Sequence, residues 1–120
     1  MANIQESSGG YEYASVDTDP GAGGFFTKPV SIRRKNDDIQ KLFFSIRELE
    51  DEPSEASVIT VVLQFRCKGD VGWTTYTNDG TDFVIGDRKL IDSNAAGVQW
   101  RAGVLSDGFT SGSVRFGFDW

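Results

Sequence analysis

At 120 residues the chain is expected to form one domain, large enough to bury about two-thirds of its unfolded surface in a single core. Its net charge of −6 argues against general nucleic-acid binding, which needs a basic footprint. The absence of histidine removes Ser-His-Asp and Cys-His catalysis and the commonest zinc ligand.

The single cysteine, Cys67, rules out an internal disulfide and fits a reducing compartment. MANIQESSGG has no basic start followed by an apolar run, so no signal peptide is expected. No apolar run is long enough to suggest a membrane span. Residues 1–24 carry four acids, no base, five glycines and few aliphatic side chains. A segment of this composition buries too little apolar surface to offset the entropy of ordering itself. Tyr11, Tyr13, Phe25 and Phe26 lie in or beside it, so residues 1–27 read as an extended arm that orders against a neighbouring chain.

Residues 28–120 read as the folded domain. In KPVSIRRKNDD, Val30 and Ile32 alternate with polar residues, and Pro29 suits the start of an edge strand. Residues 25–47 hold six bases and two acids, whereas residues 48–56 hold five acids and no base. Residues 39–49 fit a helical face through Ile39, Leu42, Phe43, Ile46 and Leu49, or a strand through Leu42, Phe44 and Ile46. The acids at 48–52 would oppose a helix C-terminal dipole, which favours the strand.

From residue 57 the alternation is sustained. Ile59, Val61, Leu63, Phe65 and Cys67 share one face of a strand whose other face also begins apolar, as in a central strand. Cys67 is expected to be a buried small hydrophobe. KGDVG is a turn, WTTYT a short strand and NDG a turn, and DFVIG and RKLID bend at Gly86. GVQWRAGVL places Val98, Trp100, Ala102 and Val104 inward. After the SDG turn, Val114, Phe116 and Phe118 are expected to pair with Val98, Trp100 and Val104. Trp120 either caps the open end of the domain or reaches another subunit.

Turns every eight to twelve residues are the spacing of a β-sandwich or small barrel. The expected fold class is all-β: an immunoglobulin/fibronectin-like or jelly-roll-like sandwich of about seven strands with the N-terminal arm. The aspartates of DTDPG, NDGTD and SDG read as turn formers ahead of calcium ligands, because no loop has the length and terminal Glu of an EF-hand. No nucleophile elbow, phosphate-binding loop or dinucleotide fingerprint occurs, so no enzymatic activity, cofactor or metal is expected. Trp73 and Tyr76 flank a loop. They are either ordinary packing aromatics or a sugar-stacking platform of a carbohydrate-binding module.

The run VITVVLQFRCKGDVGWTTYT…DRKLID…GVQWRAGVLSDGFTSGSVRFGF, over residues 58–118, resembles small β-sandwich modules in virion proteins of tailed bacteriophages. It is loosely similar to fibronectin type III domains in its aromatic-x-Arg-x-Ala strand. The resemblance implies a non-enzymatic structural role in the virion, assembled in the host cytoplasm, as a capsid decoration or accessory head protein or as a tail or connector subunit. The partners it implies are other virion subunits, in a homo-oligomer or lattice; the net charge and the lack of a long apolar run are what lead to the expectation of no nucleic acid and no membrane. Tyr11, Tyr13, Phe25 and Phe26 are the expected interface anchors, because aromatics dominate interface hot spots. Arg33, Arg34, Lys35 and Trp120 are further expected contacts.

Overall fold

The computed structural model describes residues 3–31, 41–48, 58–77, 80–91 and 98–120. Among them run twelve strands: β1 (Ile4–Ser7), β2 (Tyr11–Val16), β3 (Phe25–Phe26), β4 (Val30–Ser31), β5 (Leu42–Glu48), β6 (Val58–Arg66), β7 (Thr74–Tyr76), β8 (Phe83–Val84), β9 (Arg88–Ile91), β10 (Gln99–Val104), β11 (Phe109–Ser111) and β12 (Val114–Asp119). They form two antiparallel sheets packed as a sandwich. One has the order β1-β2-β12-β5-β9. The other is built on β6 and β10, with β11, β8 and β7 pairing with successive stretches of β6, and β3 and β4 along the free side of β10. The all-β sandwich is therefore as expected, with more and shorter strands than the seven anticipated.

The core lies between the sheets and follows the period-two alternation. From the five-stranded sheet, Ala14, Val16, Leu42, Phe44, Ile46, Val114, Phe116 and Phe118 point inward. Facing them are Ile59, Val61, Leu63, Phe83, Trp100, Ala102 and Val104. Phe44 sits at the centre, with ring centroids 5.2 Å from Phe83 in an edge-on contact and 5.6 Å from Phe118. Fully burying each such ring is worth about 2–3 kcal/mol, and the offset and edge-on contacts add to that. Residues 42–48 are a strand with Leu42, Phe44 and Ile46 buried, so the acidic run does not follow a helix.

Three expectations are corrected. First, residues 1–27 are not a separate arm. β2 is an interior strand, paired with β1 from Tyr11's neighbour Glu12 to Ser15 and with β12 from Tyr11 to Val16. The Gly9–Gly10 pair lies in the hairpin loop, closed by the Ser8 N–H donating to the Tyr11 carbonyl at 2.9 Å. Gln5 then ties the two sheets together, its side-chain amide donating to the Phe26 carbonyl at 2.6 Å. Second, β12 does not pair with β10. After Val104 the chain makes a 3-10 turn at Ser106–Gly108, adds β11 to the edge of β6, and crosses to the other sheet, where β12 lies between β2 and β5. Val114, Phe116 and Phe118 thus lie in the sheet opposite β10 and share its core. Third, Cys67 is exposed. The strand ends at Arg66, and the turn that follows is fixed by Cys67 N–H donating to the Asp70 carboxylate at 2.9 Å, so the alternation stops one residue short of the thiol.

The edge run from Phe25 to Ser31 is broken in the middle, where Pro29 lacks a donor. Thr27 bridges the gap: its N–H donates to the Ala102 carbonyl at 2.8 Å, and its hydroxyl accepts from the Ala102 N–H at 3.1 Å.

Candidate functional site

Alternation leaves each sheet with an outward face, and both faces carry aromatic rings beside arginines. On the five-stranded sheet, the register aligns Tyr11, Asp119, Phe43 and Leu90 in one transverse row, and Glu6, Tyr13, Gly117, Ser45 and Arg88 in the next. Tyr13 lies over Gly117. A Cβ there would stand 2.6 Å from the Tyr13 ring and 2.1 Å from the Glu12 carbonyl oxygen, so only glycine admits the ring. The Tyr13 hydroxyl donates to Asp119 at 2.5 Å. The Arg115 and Arg47 guanidiniums stand 4.5 and 5.7 Å from the ring centroid, and Arg115 also pairs with Glu6 at 3.5 Å. Beside this group is a shallow concavity of about 190 Å³ lined by Tyr13, Phe43, Ser45, Arg47, Arg88 and Asp119.

Burial, then the hydrogen bond and negative charge of Asp119, push the Tyr13 phenol from its ordinary 10.0 up to about 12. The neutral phenol is the form the fold favours, so its contribution is complete below pH 10 and is lost as pH rises through about 12. Urea unfolding followed across that window should show this loss in the wild type, and Tyr13→Phe should flatten it. An equal slope in both proteins would remove Tyr13 as its cause.

On the seven-stranded sheet the outward side chains form a ladder. The Arg101 guanidinium lies 3.9 Å from the Phe26 centroid and 4.4 Å from the Trp73 centroid, and Arg66 lies 4.6 Å from Trp73. Two glutamines hold the guanidiniums in place. Gln99 accepts from Arg66 at 2.5 and 3.2 Å, and Gln64 accepts from Arg101 Nε at 2.9 Å. Burial, and secondarily the nearby Arg66 charge, lower the pKa of Arg101. Among the described residues neither Arg66 nor Arg101 has a carboxylate within 4.0 Å.

The residues expected to act as anchors are thus divided. Tyr11 and Tyr13 touch each other on the first face, with centroids 5.2 Å apart. Phe25 packs against the core, and Phe26 belongs to the ladder on the second face. Trp120 does turn onto its own domain. Its indole N–H donates to the Gly9 carbonyl at 2.8 Å, its backbone N–H donates to Gly10 at 3.1 Å, and its ring packs against the core. Arg33, Arg34 and Lys35 lie outside the described residues.

Trp73 and Tyr76 do not make one platform. They are three apart at a strand, which sends them to opposite faces. Tyr76 packs edge-on against Trp100 at 5.8 Å, while Trp73 is half-buried under the guanidiniums. Arg66, Arg101, Gln64 and Gln99 are not among the residues the sequence nominated. Among the described residues, no group of three or more Cys, Asp or Glu is placed to hold a metal ion. No protein-family model, curated protein or solved structure matches the chain.

Proposed function

We propose that the chain is a non-enzymatic structural subunit of a tailed-bacteriophage virion, acting as a capsid decoration or accessory head protein, with a tail or connector position as the alternative. The virion assignment rests on the resemblance of residues 58–118. The observation that carries a contact role is the outward row of the five-stranded sheet. Phe43 is 38% exposed and Leu90 53% exposed, and they are direct cross-strand neighbours. Ile4, 48% exposed, adds to the apolar surface of the same sheet. Single exposed hydrophobics are ordinary, but adjacent ones on a rigid sheet, bordered by Arg47 and Arg88, have the make-up of an interface core with a polar rim. The reinforcement it offers is contact: apolar area removed from water on binding a neighbouring subunit.

The test is a pair of substitutions, Phe43→Ser with Leu90→Ser. Both side chains are exposed, so the melting temperature should change little, since surface substitutions are usually within about 0.5 kcal/mol. Copy number in purified virions, read by quantitative mass spectrometry, should fall about tenfold, the equivalent of ~1.4 kcal/mol of contact energy. Wild-type chain missing from purified virions would sink the virion reading. Undiminished incorporation of the variant would sink the role of this face.

A further inference from the structure

We infer that the ladder of Phe26, Arg101, Trp73 and Arg66 is a carboxylate-binding site whose occupant is the acidic segment of a second copy of this chain. Two guanidiniums are held side by side on a sheet face, stacked on aromatic rings and fixed from the side by Gln64 and Gln99. Stacking uses the flat face of a guanidinium; with Arg66 Nε and Nη2 donating to Gln99 and Arg101 Nε to Gln64, the terminal Nη edges are the ones left for a ligand. Those edges match the geometry of a carboxylate, and the stack holds them without a flexible stem to order on binding. Like charges placed this close repel, and among the described residues no carboxylate stands within 4.0 Å of either to balance them. The arrangement is one that an incoming carboxylate would stabilise.

The occupant is argued from charge and from position. Glu50, Asp51, Glu52 and Glu55 fall within six residues with no base among them. They lie outside the described residues, but the chain on either side of them is placed: the segment leaves β5 at Glu48 and returns at Val58, the first residue of β6. Arg66 is the last residue of that same nine-residue strand. At about 3.3 Å per residue the two ends are ~26 Å apart. The described residue that follows the acidic segment and the ladder therefore mark opposite ends of one strand, an arrangement compatible with head-to-tail contact between copies. A heterologous contact of this kind builds rings or filaments rather than closed dimers. The inference needs no virion: it concerns self-association in solution, and it uses the face opposite the Phe43–Leu90 row.

Salt separates this from general charge effects. Each copy carries −6, so unspecific repulsion would weaken on adding salt and association would rise. Local pairing of arginine with carboxylate predicts the reverse. Sedimentation velocity of the full chain should show association that increases with concentration at about 50 mM salt and is lost at about 300 mM. A peptide of residues 48–56, ELEDEPSEA, should bind the full chain under the same low-salt conditions, changing tryptophan fluorescence, and should bind the Arg66→Gln, Arg101→Gln variant at least tenfold more weakly. A second variant leaves the ladder intact: Glu50→Gln, Asp51→Asn, Glu52→Gln, Glu55→Gln should remain monomeric yet still bind the peptide. The inference is overturned if the wild-type chain stays monomeric or ignores the peptide, if the arginine variant binds it as well as the wild type does, or if the neutralised chain self-associates unchanged. Virion incorporation of the Phe43, Leu90 variant is read independently, so either idea can fail alone.

Discussion

Removing residues 1–16 is expected to abolish the cooperative fold, not to trim a tail. β2 supplies Ala14 and Val16 to the core, both with no exposed surface, and Glu12, Tyr13 and Ser15 are buried on or between the same strands. Without it the six-residue ladder to β12 is lost, from Val114 opposite Val16 to Asp119 opposite Tyr11. The backbone groups on that side of β12 then open to water, and Val114, Phe116 and Phe118, now fully buried, lose the cover of a neighbouring strand. A domain holds a total of only about 5–15 kcal/mol, and losing one interior strand with its packing removes an amount of that order. The hairpin also carries the carbonyls of Gly9 and Gly10 that hold Trp120, so the end of β12 frays with it. The truncated chain should show no sigmoidal thermal transition by circular dichroism and should bind a hydrophobic dye at room temperature. A truncated chain that melts cooperatively would mean that the segment is the detachable arm its composition suggests.

That contrast shows what the residues make legible and what they do not. β6, β10 and β12 announce themselves because their inward positions are apolar and large: Ile59, Val61 and Leu63; Trp100 and Val104; Phe116 and Phe118. β2 has the same alternation, but its inward side chains are Glu12, Ala14 and Val16, too small and too few to signal a core strand. Its burial comes from β12, about a hundred residues later, and no local window contains that partner. The glycines beside it look like flexibility and act as a hairpin loop. The error over β12 is similar in kind. A short connection suggests a hairpin, and β11 intervenes to move the chain from one sheet to the other.

Sites suffer most from this, because they are assembled by register. The alternation correctly sends Arg66 and Arg101 outward. Only the pairing of Arg101 with Gln64 and of Gln99 with Arg66 shows that the two guanidiniums meet over Trp73. The single readable hint was the alternation of Gln and Arg on two long strands, at positions where a solvated surface would serve equally well.

Two glycines offer a second large effect, and they divide stability from binding. Gly117→Ala places a methyl group 2.1 Å from the Glu12 carbonyl oxygen and 2.7 Å from the Tyr13 Cα, both backbone atoms of the paired strand. Backbone inside a sheet cannot step aside without breaking the β2–β12 ladder, so the substitution should cost about 3 kcal/mol or more. At roughly 4–8 °C per kcal/mol, the melting temperature should fall by about 12 °C or more. Gly103→Ala creates an equally short approach, 2.1 Å, but to the Phe26 ring. A side chain on a two-residue edge strand can swing away, so the cost should be about 1–2 kcal/mol. The ring that swings is the one beneath Arg101. Gly103→Ala should therefore weaken binding of the 48–56 peptide while the fold largely survives. Gly117→Ala, studied well below its lowered melting temperature, should bind the peptide as the wild type does. Thermal melts and peptide titrations on the two variants give four numbers. If Gly103→Ala melts lower than Gly117→Ala, the close packing of β2 on β12 is not what holds the five-stranded sheet together. If Gly103→Ala binds the peptide normally, Phe26 has no part in holding Arg101 for its ligand.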